Sequence, residues 1–150
     1  MSEELTREPA SIVDIEKSLR MVAGIIKQNG RELLSEFSIT PPQFLALQWL
    51  SEYGDLTIGE LSNKMYLACS TTTDLVDRME KTDLVKRVKD PHDRRVVRIH
   101  ILDKGNDIIK KVIHKRQVYL EKITRKFSGD QVKALEESLH LLYDEMKKNE

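Results

Sequence analysis

Apolar residues between 11 and 37 fall at Ile12, Ile15, Leu19, Val22 and Ile26, in steps of three, four, three and four. Steps of that size line up along one side of an α-helix, so the segment is predicted to be a helix with a narrow apolar seam. Asn29 falls on the same seam ahead of Leu33. A polar residue there has two readings: it sets register or lines a cavity, or the helix end reaches solvent. The stepping returns near the other end of the chain, at Val132, Leu135, Leu139, Leu142 and Met146, and predicts a second seamed helix there.

Local punctuation divides the interval. Thr40-Pro41-Pro42-Gln43 has a capping threonine, a proline at the first helical position and a glutamine at the third. This is a capping box, and it opens a helix that Gly54 stops. Phe44, Leu47, Leu50 and Trp49 are expected to face inward. Thr57-Ile58-Gly59-Glu60 reads as a second capping box, starting a short helix through about Met65. After the break Tyr66-Leu67-Ala68, a further helix is expected over about 69–81, with Leu75, Val76 and Met79 apolar. Two short helices joined by a three- or four-residue turn form a helix-turn-helix.

The period then changes to two. Val97, Ile99 and Ile101 alternate with Val96, Arg98 and His100, as in a half-buried strand. Leu84 to Lys89 is its less regular partner, and Asp90 to Arg95 is the connecting loop. Asp103 is expected to cap a helix over about 104–127 with Ile109, Val112, Ile113, Leu120, Ile123 and Phe127 on its apolar side. Ser128-Gly129-Asp130-Gln131 is a third capping box, opening the last helix.

These elements make a mainly α chain with a small β-hairpin: one domain of 150 residues without repeats or long linkers. A compact centre over 40–102 is bracketed by helices over 1–37 and 104–150. Their narrow seams suit intertwined pairing with a second copy, and intramolecular packing is the alternative.

Charge adds a distribution. The chain carries 25 basic and 25 acidic side chains, which argues against coating nucleic acid by bulk charge. Residues 84–98, however, hold Lys86, Arg87, Lys89, Arg94, Arg95 and Arg98 against Asp90 and Asp93. A local basic patch on a neutral body fits a site-specific contact, and a solvated charged hairpin is the plainer reading. No apolar run approaches the length of a membrane span, and MSEELTREPAS does not read as a signal peptide; a cytoplasmic protein is expected. The one cysteine, Cys69, excludes an internal disulfide and a multi-cysteine zinc site. His92, His100, His114 and His140 show no i, i+3 or i, i+4 pairing, so no metal site and no cofactor are expected. No glycine-rich phosphate loop or nucleophile elbow is present, and an enzyme is the lowest-ranked reading.

The stretch LTIGELSNKMYLACSTTTDLVDRMEKTDLVKRVKDPHDRRVVRIHILDKG resembles the core of the MarR family of bacterial transcription regulators. Leu75 to Lys81 is similar to the second half of that family's recognition helix. Asp90-Pro91-His92-Asp93-Arg94-Arg95, followed by Ile101-Leu102-Asp103-Lys104-Gly105, is similar to its wing. The resemblance implies a homodimeric winged helix-turn-helix regulator of double-stranded DNA, a repressor of a palindromic operator released by a small-molecule signal. The helix over 69–81 would enter the major groove and the hairpin tip would approach the minor groove. The outer helices would dimerise. A winged helix that binds protein rather than DNA is the alternative function.

The residues fit the DNA reading. Ser70, Thr71, Thr72 and Thr73 place hydroxyls at a helix start, where they can reach phosphates and base edges; capping accounts for one of them. An arginine on a thin hairpin can enter a narrow A·T-rich minor groove. Asp93 and Arg95 match the family's aspartate-any-arginine pattern, and Asp93 could hold Arg95 by a bidentate pair. Arg94 and Lys89 are candidates for phosphates, with Arg78 second. Asp74 departs from the basic or neutral residue that relatives often carry. It either accepts from a cytosine amino group or sits in the first helical turn, favoured by the helix dipole.

For the signal, the family implies small phenolic or other aromatic effectors, oxidants or metals. Met21, Asn29 and Trp49 are the candidate ligand-lining residues. Cys69, at the start of the DNA-reading helix, is either a small inert residue or an oxidisable one.

Overall fold

The computed structural model describes residues 9–149. Six helices and one hairpin follow in the order α1 (Pro9–Glu36), α2 (Pro41–Tyr53), α3 (Ile58–Met65), α4 (Cys69–Lys81), β1 (Val85–Lys89), β2 (Val97–Ile101), α5 (Asp103–Thr124) and α6 (Gly129–Lys148). The chain divides into two compact units, one running to Val112 and one from Ile113.

The first unit is built around fully buried Leu47 and Leu50 of α2, Leu61 of α3, Val76 and Met79 of α4, Val85 of β1 and Ile99 of β2. The capping box of α2 is formed in both directions: Thr40 Oγ1 accepts from Gln43 N–H, and Gln43 Oε1 accepts from Thr40 N–H. At α3 only half of the expected box forms. Thr57 Oγ1 accepts from Glu60 N–H, but the Glu60 carboxylate turns away to Arg98. Helix α3 closes at Tyr66, which takes the left-handed conformation (φ 55°), and Leu67 N–H returns to the Ser62 carbonyl.

Strands β1 and β2 are antiparallel, in register from Val85↔Ile101 to Lys89↔Val97. Leu56, between α2 and α3, adds a one-residue third strand by exchanging backbone hydrogen bonds with Ile99. The expected inward row on β2 holds only in part. Ile99 is fully buried and Ile101 half-buried, but Val97 is 42% exposed, at the β2 end nearer the hairpin tip. Helix α5 begins with the Leu102 carbonyl accepting from Asn106 N–H, so Leu102 takes the capping position and Asp103 lies in the first turn. Gly105 sits where a Cβ would meet the Leu84 carbonyl oxygen at 2.6 Å.

The apolar seam of α1 is open: Ile15, Leu19, Val22 and Ile26 are 53%, 38%, 53% and 47% exposed. Near its end α1 sends Leu34 into the core, with Leu33 packed against it.

The second unit holds the end of α5 and α6. Helix α5 stops at Thr124, short of the expected 127, where Thr124 Oγ1 bonds back to the Leu120 carbonyl; Phe127 lies in the following turn. Ser128 and Gln131 form a complete capping box at α6. Helix α6 has no buried residue. Leu120, Ile123, Val132, Leu135, Leu139 and Met146 all stand exposed.

Candidate nucleic-acid interface

Helix α4 buries Thr72, Val76 and Met79, one per turn on the core side. The opposite side leaves Ser70, Thr71, Asp74, Arg78 and Lys81 exposed at helical spacing. Thr72, a candidate contact from sequence, therefore drops out. It is fully buried, and its Oγ1 donates to the Ala68 carbonyl at 3.1 Å. Thr73 is half-buried, with its hydroxyl donating to the Cys69 carbonyl at 2.9 Å. Neither caps the helix, and nor does Ser70 or Thr71: the N-cap is Ala68, without a side-chain cap bond. The hydroxyls free for a ligand are those of Ser70 and Thr71.

Asp74 is the sixth residue of α4, past the first turn, which contains no acidic residue. Stabilisation by the helix dipole falls off within that turn, so the dipole does not account for Asp74; its carboxylate stands on the exposed stripe. Asp77 and Glu80 share one cation, Arg87 of β1. Arg87 Nη2 meets Asp77 at 2.6 Å and Nη1 meets Glu80 at 2.8 Å, while Arg87 N–H donates to Glu80 at 3.0 Å. These bonds tie α4 to the hairpin, and the single positive charge of Arg87 offsets one of the two negative charges on the helix. Residue Tyr66, in the turn just before α4, is 94% exposed. The sequence counts Arg87 in the basic patch of the hairpin, whereas the structure commits it to α4; Tyr66 reads there only as part of the break between the two helices.

The hairpin tip is shaped by two aspartates. Asp90 Oδ1 accepts the N–H groups of His92 (2.8 Å) and Asp93 (3.0 Å), and Asp90 N–H closes the loop on the Val96 carbonyl at 2.9 Å. Arg98 donates to the other Asp90 oxygen at 2.6 Å. Arg98 first, then the two loop amides, lower the Asp90 carboxyl from 3.8 to about 2. Asp93 grips Arg95 at both oxygens: Nε to Oδ1 at 3.0 Å and Nη2 to Oδ2 at 3.0 Å. This contact, with the Arg95 N–H, holds the Asp93 carboxyl below the usual carboxylate range. The Arg95 side chain is nevertheless 90% exposed, so it is oriented without being covered. Arg94 and Lys89 are exposed on the same hairpin.

The ligand candidates do not converge on one pocket in the same way. Met21 is 56% exposed and Asn29 half-buried, eight positions apart on α1, or ~12 Å along its axis. Trp49 is half-buried against the core, 5.6 Å from the Tyr53 ring. The Lys64 ammonium lies 3.7 Å from the Tyr53 centroid and 5.3 Å from that of Trp49. Cys69 is exposed, with Sγ 3.3 Å from Ser62 Oγ. Among the described residues no cluster of three or more metal-ligating side chains occurs, and no helix is long and apolar enough to cross a membrane.

Helices α3 and α4 with the left-handed turn between them, followed by the β1–β2 hairpin, define a winged helix-turn-helix protein. Comparison with known proteins agrees. The MarR family model matches residues 39–97. YsmB, a helix-turn-helix (HTH-type) transcriptional regulator of Bacillus subtilis (strain 168), is 60% identical over 96% of this chain and 99% of its own length. A MarR family protein from Bacillus stearothermophilus superposes with a TM-score of 0.88 at 54% identity, covering 95% of this chain and 99% of that one. The transcriptional regulator Tm0710 from Thermotoga maritima does so at 0.76 and 37% identity, over 91% and 96%. The chain belongs to the MarR family of DNA-binding transcription regulators.

Proposed function

We propose that the protein is a homodimeric repressor that binds a palindromic operator, with α4 in the major groove and the β1–β2 wing at the minor groove. The observation that carries this reading is Arg95: a guanidinium 90% exposed yet fixed by both oxygens of Asp93. A cation held out from the surface in one orientation loses little further entropy on entering a narrow groove. Ser70 and Thr71 supply hydroxyls and Arg78 a cation on the exposed side of α4; Lys89 and Arg94 supply cations on the wing. Pairing through the open seams of α1, α5 and α6 would bury leucines and isoleucines that the single chain leaves in water. A two-fold pair places the recognition helices on half-sites about one helical turn, ~10 base pairs, apart. By family resemblance, release is assigned to a small aromatic molecule, with Met21, Asn29 and Trp49 the residues to test first.

The test uses the duplex that the protein itself enriches from a random pool. Fluorescence anisotropy is expected to show binding that weakens steeply with salt, a log–log slope of about −0.9 for each phosphate neutralised. Changing Arg95 to alanine should weaken it at least about tenfold, the scale of a lost charge-assisted contact. The exposed carboxylate of Asp74 favours the other reading, a winged helix that binds protein; failure to enrich any duplex would support it.

A further inference from the structure

Arg98 is not on the exposed side of α4 and not at the wing tip, yet three elements converge on it. It projects from β2 with its side chain 30% exposed. Its Nε donates to Asp90 Oδ2 at 2.6 Å. Its Nη1 lies 3.3 Å from Glu60 Oε1 on α3 and 3.5 Å from the Asp55 carbonyl that precedes α3. The Asp90 partner is itself committed to the loop, because its second oxygen accepts the N–H of Asp93. Asp93 in turn holds Arg95 by two hydrogen bonds. A continuous run of polar contacts therefore leads from the first helix of the helix-turn-helix to the minor-groove candidate: Glu60, Arg98, Asp90, Asp93, Arg95.

We propose that Arg98 is a positioning residue for DNA recognition: through Asp90 it fixes the wing loop to α3 and so sets where Arg95 points. This rests on the reading of Arg95 as a DNA contact. The physical reason is geometric. A two-stranded hairpin is marginal on its own, and its tip needs an anchor if a single guanidinium is to meet a groove at a fixed distance from α4. A planar guanidinium can bridge Asp90 and Glu60 at once; a lysine ammonium is a single point charge on a flexible stem and cannot hold both in that geometry. Without Arg98, Asp90 and Glu60 face one another uncompensated, and the loop loses the side that Asp90 braces.

The experiment is a double-mutant cycle on the pool-enriched duplex, by anisotropy at fixed salt, with wild type, Arg95→Ala, Arg98→Gln, Arg98→Lys and the Arg95→Ala/Arg98→Gln pair. Positioning predicts that Arg98→Gln weakens binding about three- to tenfold in the wild-type background and less than about twofold once Arg95 is gone, since residues of one network do not add. It also predicts that Arg98→Lys behaves like Arg98→Gln despite keeping the charge. Full multiplication of the Arg95 and Arg98 effects, or binding by Arg98→Lys equal to wild type, would overturn the proposal in favour of a direct phosphate contact. If Arg95→Ala alone leaves affinity unchanged, it is the DNA role of Arg95 that fails, and the positioning role with it. Circular dichroism of each variant checks that the fold is intact, and Arg98→Lys, which keeps the charge, decides the matter should Arg98→Gln not fold.

Discussion

Thr72 Oγ1 donates a 3.1 Å hydrogen bond to the Ala68 carbonyl, the same oxygen that already receives the Thr72 backbone N–H. The hydroxyl thus satisfies itself inside the core and cannot reach a ligand. Its neighbour Thr71 is exposed on α4. Thr72→Val removes the buried hydroxyl while the Ala68 carbonyl keeps its main-chain donor, so stability should change by less than ~1 kcal/mol and DNA affinity should hold. Thr71→Val should leave the urea midpoint in place and weaken duplex binding roughly three- to tenfold, the worth of one hydrogen bond. Anisotropy and urea melts on the two variants separate the cases.

Gly105 is a packing requirement. An added Cβ would lie 2.6 Å from the Leu84 carbonyl oxygen, 2.9 Å from Ile101 Cγ1 and 3.0 Å from Leu47 Cδ2. The side-chain tips can yield, but the backbone oxygen cannot move without the start of the hairpin. Gly105→Ala, which would favour an ordinary helix interior, should instead destabilise by about 1–3 kcal/mol, the range of overpacked cores. A urea titration reads this directly.

The Asp90 carboxyl titrates at about 2 in the folded chain against an ordinary 3.8. Because the folded value is the lower one, the stabilisation it brings is complete above 3.8 and is lost as pH falls toward about 2. The His92 and Asp93 amides, which donate to this carboxylate, should be protected from hydrogen exchange at pH 5 and lose that protection over this window, ahead of core amides such as Ile99. Asp90→Ala, which removes the acceptor oxygen altogether, should show the unprotected pattern at every pH.

Helix α6 exposes Leu139 at 51% and buries none of its residues. Leu139→Asp should therefore cost the single chain little while placing a carboxylate in the proposed dimer seam. Light scattering is expected to report a mass of two chains for the wild type and one for the variant.

What could be read from the sequence was what is local. The Thr40–Gln43 and Ser128–Gln131 boxes lie three positions apart, and both form as expected. The Asp93–Arg95 pair was expected on an extended tip, but the tip is a turn: Val96 N–H bonds the Asp93 carbonyl and Arg95 N–H bonds Asp93 Oδ1, and this turn brings the two side chains together. The run Ser70 to Thr73 misled because four consecutive helical residues point around the whole helix, so one had to face the core. The spacing of Thr72, Val76 and Met79 carried that signal. Glu60 looked like a cap partner and became an Arg98 partner 38 positions away; no local pattern announces a pair at that separation. The same holds for Arg87 with Asp77 and for the one-residue strand at Leu56, whose partner Ile99 is fixed only by the fold. The α1 and α6 seams were legible as seams, and the described chain leaves both uncovered.

Whether two copies read paired half-sites through α4 and Arg95 is decided by a hydroxyl-radical footprint of the protein on the duplex it enriches from a random pool, read on both strands. Two symmetric protected segments about one helical turn, ~10 base pairs, apart are expected, flanked by minor-groove protection that disappears in Arg95→Ala. A single unpaired protected segment, or flanking protection that persists without Arg95, would contradict this reading.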